Sequence, residues 1–478
     1  MIHRNLLRRA TAALVALVAL ALIGLASTSA HAADTHAYVL TSDYSSGGMS
    51  LGNLDTRVIT RDVASAYSDA RMRWFGGLLY VVNRFGQDNI QVIDPANNFT
   101  TVRQFSVGNG SNPQDIAFLS STKAYVTRLA SSRLLIVNPA TGDSIGAIAL
   151  GAFADADHIP EMDHMIRVGT TLFVALERLS NFQPTDSSVV VAIDTRADTV
   201  IDAVPALPGI QAIALPGTNP TTGFDIDPAT GRLILGCTGS YGVGDGGIAW
   251  IDTQTLTSGG FAVTEPVLGG DVLGVVWGSA TRSFAIVSDA GYNTSLVAWN
   301  PTTGAKLATV FAPGGFSIAD AVLNDRGELY VCDNDAFGLP GLYVFSAATG
   351  AALAGPLDTG LPPVAVAFDH SGNTSPTGVP VASALTRVVE LSAPWPQPAT
   401  RLVRARLTLA RGSLVSAEIL DLQGRTVRAL TAGEFAAGTR ELAWDMRDTA
   451  GRKALPGVYI MRARLGQSSF SQRVIVTR

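Results

Sequence analysis

Seven stretches of this chain repeat one phrase: an apolar β-run, a polar loop, a second β-run ending in an acid or amide, and a small turn. They are HAYVLTSD (36–43), LLYVVNRFGQDNIQVIDPANN (78–98), KAYVTRLASSRLLIVNPATG (123–142), TLFVALERL with SSVVVAIDTRAD (171–198), RLILGCTGS with GGIAWIDTQT (232–255), SFAIVSDAGYNTSLVAWNPTTG (283–304) and ELYVCDNDAFGLPGLYVFSAATG (328–350). Each period also carries an upstream β-run, such as DIAFL (115–119), HMIRV (164–168), FDIDP (224–228), LGVVW (273–277) or ADAVL (319–323), and a downstream one such as SIGAIAL (144–150). In turns such as Asn138-Pro139-Ala140-Thr141-Gly142, proline fixes φ and glycine supplies a left-handed position. Four short strands per unit, recurring at about 40–50 residues, are the mark of a β-propeller. With a partial first unit counted, the sequence predicts seven blades.

The two ends of the array complement each other. The first unit begins at its second strand, near His36, and the missing upstream phrase appears at the far end as PVAVAFDHSGN (363–373). That strand is expected to close blade one against the N-terminal strand, which removes the open sheet edges that invite aggregation. The expected propeller spans 33–372.

Ahead of the array, Arg4, Arg8 and Arg9 precede an apolar run from Ala12 to Ala26, and Ala30-His31-Ala32 supplies the small residues Ala30 and Ala32 at a cleavage point. This is the pattern of a secretory signal peptide over 1–32. The run is shorter than the ~20 residues of a membrane span, so the mature protein is expected to be secreted or held at the cell surface, with no transmembrane span after signal removal. Export permits disulfides, yet only Cys237 and Cys332 are present and they fall in different repeats, so they read as buried thiols. No spacing suggests zinc or haem.

After a linker rich in Ser, Pro, Gly and Ala (373–391), the charge changes sign. Residues 392–478 hold fourteen Lys/Arg against six Asp/Glu, a net +8; the mature chain before them holds 17 against 33, a net −16. About seven short runs, among them RARLTLA, VSAEILDLQG, RELAWDM and GVYIMRARL, argue for a small β-sandwich of the immunoglobulin-like kind.

Two resemblances follow from these phrases. AYVTRLASSRLLIVNPATGDSIG (124–146) and LYVVNRFGQDNIQVIDPANN (79–98) resemble YVTN-type bacterial surface-propeller repeats, a family that implies extracytoplasmic propellers and says little about ligand. PWPQPAT, AEILDLQGRTVRAL, AAGTRELAWDMRDTAGRKALPGVYIMRARL and the terminal RVIVTR resemble the immunoglobulin-like domain shared by flagellar hook-capping proteins and type IX secretion sorting domains. Trp395-Pro396-Gln397-Pro398 departs from the Pro-Asn-Pro usual in such tails. The second resemblance implies dealings with outer-membrane secretion machinery or attachment at the surface.

Candidate site residues concentrate in FADADHIPEMDH (153–164), which packs Asp155, Asp157, Glu161 and Asp163 with His158 and His164. This stretch connects blade three to blade four and is expected to rim the channel. Companion loops on the same face supply Asn83, Arg84, Asp88, Arg128, Glu177, Arg178, Asp186, Tyr241, Asp245, Asp289, Tyr292, Asp333, Asn334 and Asp335. Converging acids suit a hard cation, and calcium, which takes six to eight oxygens, is the one to expect. Against it, D-x-[DN]-x-[DN]-G is absent and His158 and His164 lack the spacing of a helical zinc pair. The other reading of these acids is that they cap turns and accept loop amides.

Remaining signals narrow the choice. GSYGVGDGG (239–247) lies between strands and does not open a helix, so it is no phosphate cradle. No Gly-x-Ser-x-Gly elbow is present, and a propeller at −16 disfavours nucleic acid. Trp74, Trp250, Trp277 and Trp299 sit in β-runs and read as blade packing. The sequence therefore describes an exported, non-catalytic propeller that binds a ligand or protein partner on its channel face. The alternative is a divalent-metal-dependent, lactonase-like hydrolase, with Asp163, Glu177, Asp333 and His164 as its machinery.

Overall fold

The computed structural model describes residues 34–180, 183–185, 187–335, 338–369, 389–392, 394–395, 399–409, 413–421, 425–436, 438–465 and 468–477. The expected signal peptide, most of the linker, Asp186 and the Pro396–Pro398 stretch lie outside them.

Strand-forming runs and turns follow the local chemistry. In the turn after Arg133–Val137, Asn138 Oδ1 accepts the Ala140 N–H (2.9 Å), and the Gly142 N–H returns to the Asn138 carbonyl (2.7 Å). Gly142 stands at φ +86°, where a side chain would be strained. The same device recurs at Asn300, whose Oδ1 accepts the Thr302 N–H (2.9 Å).

Up to residue 369, the described strands form six four-stranded antiparallel sheets, one of five, and a two-stranded ladder (Leu179–Ser180 with Gln183–Pro184) within a loop of the fourth. In chain order the sheets occupy 36–66, 70–106, 113–149, 162–214, 224–264, 271–311 and 318–357, and Pro363–Phe368 joins the first. This last strand pairs antiparallel with His36–Ser42, with Ala37 opposite Phe368 and Val39 opposite Val366. The expected upstream runs are the first strands: Pro113–Ser120, Met162–Val168, Phe224–Ile226, Asp271–Ser279 and Ile318–Leu323. The second sheet begins with Ala70–Phe75, whose two arginines hide its strand pattern in the sequence.

Second strands are apolar almost throughout because both of their faces are covered. Their side chains alternate between two cores, as the period of a strand requires. Tyr125 packs with Val174 of the next sheet, while Val126 packs with Val82 of the previous one. Phe173 joins Leu235, Ile234 joins Val287, Phe284 joins Val331, Tyr330 joins Val39, and Leu40 joins Val81. Each core thus bridges consecutive sheets, and the last sheet shares one with the first. First strands also touch their successors all the way round, Pro363–Phe368 lying between Ile318–Leu323 and Ala70–Phe75. The fold is all-β and propeller-like.

Cys237 and Cys332 are free and buried in two different cores. Beyond the array, a three-stranded sheet (Val389–Leu391, Val403–Leu409, Gly438–Trp444) and a four-stranded one (Thr426–Phe435, Ser413–Leu420, Gly457–Leu465, Ser468–Val476) bury one common core around Trp444, Leu407, Ile419 and Met461. Val389–Leu391, expected as the end of the linker, is instead a strand of this sheet, because its backbone pairs with Leu407–Leu409. Among the described residues, no helix is long and apolar enough to cross a membrane.

Candidate functional site

Where the first strands converge, charged side chains meet. Arg73 forms a two-pronged pair with Asp115 (2.8 and 2.9 Å), and Arg71 binds Asp163 at 2.5 Å. Asp115 also accepts the Met165 N–H of the next sheet (3.0 Å). Asp225 takes the Trp277 N–H (2.7 Å) and Asp320 the Val366 N–H (3.1 Å) in the same manner. Three carboxylates thereby stitch one first strand to the following one.

Burial raises the Asp115 carboxyl, but Arg73 outweighs it and holds it below its ordinary range. With no such partner close by, burial pushes Asp225 and Asp320 up to about 6 despite the amides they accept. His164 is largely covered beside this group, its Nδ1 4.0 Å from Asp115 and its Nε2 3.7 Å from Asp163. Burial and then Arg71 drive its imidazole well below the usual range, so it is neutral, and Nδ1 has no hydrogen-bond partner. Burial and the adjacent Asp163 push Glu177 far up, which keeps it protonated. Asp115, Asp163 and Glu177 are buried while Arg71 and Arg73 keep 25% and 31% of their side chains exposed, and the arrangement ties first strands of different sheets together.

The four acids expected to hold a cation go separate ways. Asp155 accepts the Asp157 N–H (3.2 Å) and the Thr185 hydroxyl, and Asp157 accepts the Ile159 N–H (2.8 Å). Glu161, at φ +45° and buried, takes the Leu179 N–H (2.9 Å). Asp163 lies inside the strand Met162–Val168, not in the loop, and is committed to Arg71. His158 occupies the turn at φ +68°. Among the described residues, no three His, Cys, Asp or Glu side chains gather as metal ligands. The set does not fit calcium, which needs several carboxylate oxygens free and converging.

The companion residues shape loops. Arg84 reaches Asp69 (3.3 Å), and Arg128 donates to the Val107 and Arg133 carbonyls (3.0 and 2.8 Å). Arg178 donates to the Ser187 carbonyl (2.8 Å). Asp289 caps its own turn through Gly291 and Asn293 (2.8 and 2.9 Å), Asp333 accepts from Asp335 (3.1 Å), and Asn334 donates to the Tyr44 hydroxyl (3.0 Å). In the glycine-rich loop the amides are already taken: Ser240 by Asp245 (2.7 Å), Gly242 by Asp271 (2.9 Å) and Gly246 by Glu265 (2.9 Å). An anion would have to compete with these carboxylates for the same amides.

What these stiffened loops present is apolar. In an antiparallel four-strand meander, loops between second and third strands share a face with the connections leading to the next sheet. Tyr44, Phe85, Tyr241, Tyr292 and Phe316 all lie in such loops, 55–76% exposed, and they are all of the aromatic residues among the large exposed hydrophobics described. Leu339 and Val243 stand beside them in the same set of loops. Of these, only Tyr241 and Tyr292 are among the residues expected from the sequence. The available signal for the others is an aromatic at the tip of a polar loop, where packing gives it no reason to be.

No protein-family model matches the chain, and no curated protein does. Similar solved structures include a functionally unknown protein from Desulfotomaculum acetoxidans DSM 771 (13% identity, TM-score 0.48, 70% of this chain and 99% of that one). A second is PorZ, an essential bacterial surface component of the type-IX secretion system of Porphyromonas gingivalis (15% identity, TM-score 0.43, 93% of this chain and 58% of that one). A third is the dihydro-heme d1 dehydrogenase NirN (14% identity, TM-score 0.47, 70% of this chain and 75% of that one). With identities this low, the reading of function rests on this chain's own residues.

Proposed function

We propose that this is an exported, non-catalytic, seven-bladed β-propeller that docks a protein partner on its loop face and is delivered or anchored by an immunoglobulin-like C-terminal domain. The observation that carries the docking role is the set of five exposed aromatics on one face. Exposed apolar area costs solubility unless something covers it, and rigid aromatic side chains supply large contact area with little entropy to lose on binding. The turn-capping carboxylates pre-organise the loops that hold them.

Seven sheets with shared cores support the blade count, and the strand Pro363–Phe368 supports ring closure. The expected signal peptide supports export. The two sheets over one core after the array, together with the phrases quoted from Ala417 onward, support a separate attachment domain spanning about 392–478. The lactonase-like alternative depends on a metal site for which the acids here are otherwise engaged.

The test is photo-crosslinking on intact producing cells. A photoreactive residue at Phe85 or Tyr292 should give a discrete adduct. The same residue at Thr141 or Thr349, in turns at the opposite ends of the strands, should not. Equal adducts from both sets, or none from the aromatic positions, would overturn the docking role.

A further inference from the structure

A cleft of about 520 Å³ opens between the fifth and sixth sheets, at the end of the tight turns and away from the exposed aromatics. That volume lies in the range of small-ligand pockets. Three tryptophans line it: Trp250 on Gly247–Asp252, Trp277 on Asp271–Ser279 and Trp299 on Thr294–Asn300. Trp299 is fully buried and forms the floor, and its indole N–H has no hydrogen-bond partner.

Trp250 is held flat. On one side it covers Gly259, where even a Cβ would lie 1.5 Å from the ring. Over the ring stands the Arg232 guanidinium, 4.4 Å from the centroid. A guanidinium resting on an aromatic face keeps its N–H groups available around its edge. Arg232 is exposed, and its side chain makes no hydrogen bond or ion pair among the described residues. Trp277 is half-buried and supplies the remaining aromatic surface.

The other polar groups are already occupied. Asp227 accepts the Ala229 N–H (3.0 Å) and the Thr230 hydroxyl (2.6 Å), and the Thr302 hydroxyl donates to the Ala280 carbonyl (2.6 Å). The cleft therefore offers an apolar aromatic plane and a fixed set of donors, with no carboxylate free to receive a cation. A matching ligand has one flat, C–H-rich face and acceptor oxygens along its edge. A pyranose ring has both. An ammonium ligand would meet the Arg232 charge.

We propose that this cleft binds a pyranose residue of an oligosaccharide, with Trp277 as the stacking platform and Arg232 as donor to a ring hydroxyl or a uronate carboxylate. The site is separate from the docking face and does not depend on it. The test titrates the mature full-length protein with neutral glucose and N-acetylglucosamine hexasaccharides and with oligouronates, followed by tryptophan fluorescence and calorimetry. At least one series should bind saturably, and Trp277→Ala and Arg232→Ala should each weaken it about tenfold or more. Tyr292→Ala, on the loop face, should leave it unchanged. Because Arg232 is exposed, Arg232→Ala remains informative if the Trp277 variant fails to fold. Binding confined to oligouronates and abolished by Arg232→Gln identifies a carboxylate as the acceptor; binding of the neutral series identifies a hydroxyl. No saturable response from any series, or binding that survives both substitutions, would overturn the proposal.

Discussion

Replacing Phe368 by alanine removes the largest side chain of the strand that joins the two ends of the array. Phe368 is fully buried and packs edge-on against Tyr330 of the seventh sheet, with ring centroids 5.1 Å apart. Loss of a buried phenylalanine costs about 3–5 kcal/mol, part transfer and part cavity. Next to it, Asp369 receives the Thr35 N–H (2.8 Å), the Thr35 hydroxyl, the His36 N–H (3.3 Å) and His36 Nδ1 (3.0 Å). Asp369→Asn keeps an acceptor oxygen but turns an amide toward the other donors. Bonds to a charged acceptor contribute about 1.5–3 kcal/mol each, so a loss near 2 kcal/mol is expected. The two sites adjoin, so their costs will not simply add. Together they remove much of the about 5–15 kcal/mol that keeps a domain folded.

The assay is urea and thermal unfolding of wild type, Phe368→Ala, Asp369→Asn and a chain ending at residue 360. The truncated chain should lose its cooperative transition, whereas one ending near 385 should keep it. Acid adds a second readout. Burial raises the Asp369 carboxyl, but the bonds from His36 and Thr35 outweigh it and hold it well below its ordinary 3.8. A depressed folded value means the stability it contributes is present above the ordinary value and is lost as pH falls below it. The gap between wild type and Asp369→Asn should therefore be wide at neutral pH and shrink below about 4. Equal melting of wild type, Phe368→Ala and the chain ending at 360 would refute the closure argument.

Four further outcomes are expected. Asp157→Asn should cost about 1 kcal/mol or less, because the amide oxygen still accepts the Ile159 N–H, and millimolar calcium should shift the melting of neither protein; a calcium response in wild type that the variant lacks would restore the metal reading. Asp163→Asn strands Arg71 and should cost about 3 kcal/mol, partly recovered by adding Arg71→Met, as a double-mutant cycle would register. Burial, with Asp157 and Asp155 nearby, pushes Glu161 up to about 7, so wild type should lose stability relative to Glu161→Gln as pH rises from the ordinary 4.5 to about 7; a gap independent of pH would refute the assignment. Burial also raises both thiols, Cys237 to about 12, so neither should react with iodoacetamide until the protein is unfolded, and the intact mass should show no disulfide.

What the chain states locally is legible in the sequence itself. Repeating apolar runs, Asn-Pro-Ala-Thr-Gly turns and the displaced PVAVAFDHSGN phrase are short-range signals, and strand period and turn chemistry act within a few residues. The two buried thiols are legible for the same reason, each lying in an apolar run. The sequence also marks the stretch 153–164 as polar and concentrated, and leaves open whether its acids cap turns or hold an ion. That choice belongs to tertiary structure. Asp163 meets Arg71 across 92 residues of chain, and only the convergence of first strands from two different sheets brings them within 2.5 Å. The roles of Arg71 and Arg73 are hidden because Ala70-Arg71-Met72-Arg73-Trp74-Phe75 reads as a poor strand until its alternate face is known to meet carboxylates from other sheets. Exposure works the same way. Tyr125 and Tyr292 are equally apolar as letters, yet one fills a core and the other stands in solvent, because burial depends on what the neighbouring sheets bring to the place. Trp250, Trp277 and Trp299 read as packing in the sequence, and only the meeting of the fifth and sixth sheets, which bring residues 27 and 22 positions apart to one place, sets all three around a single cleft.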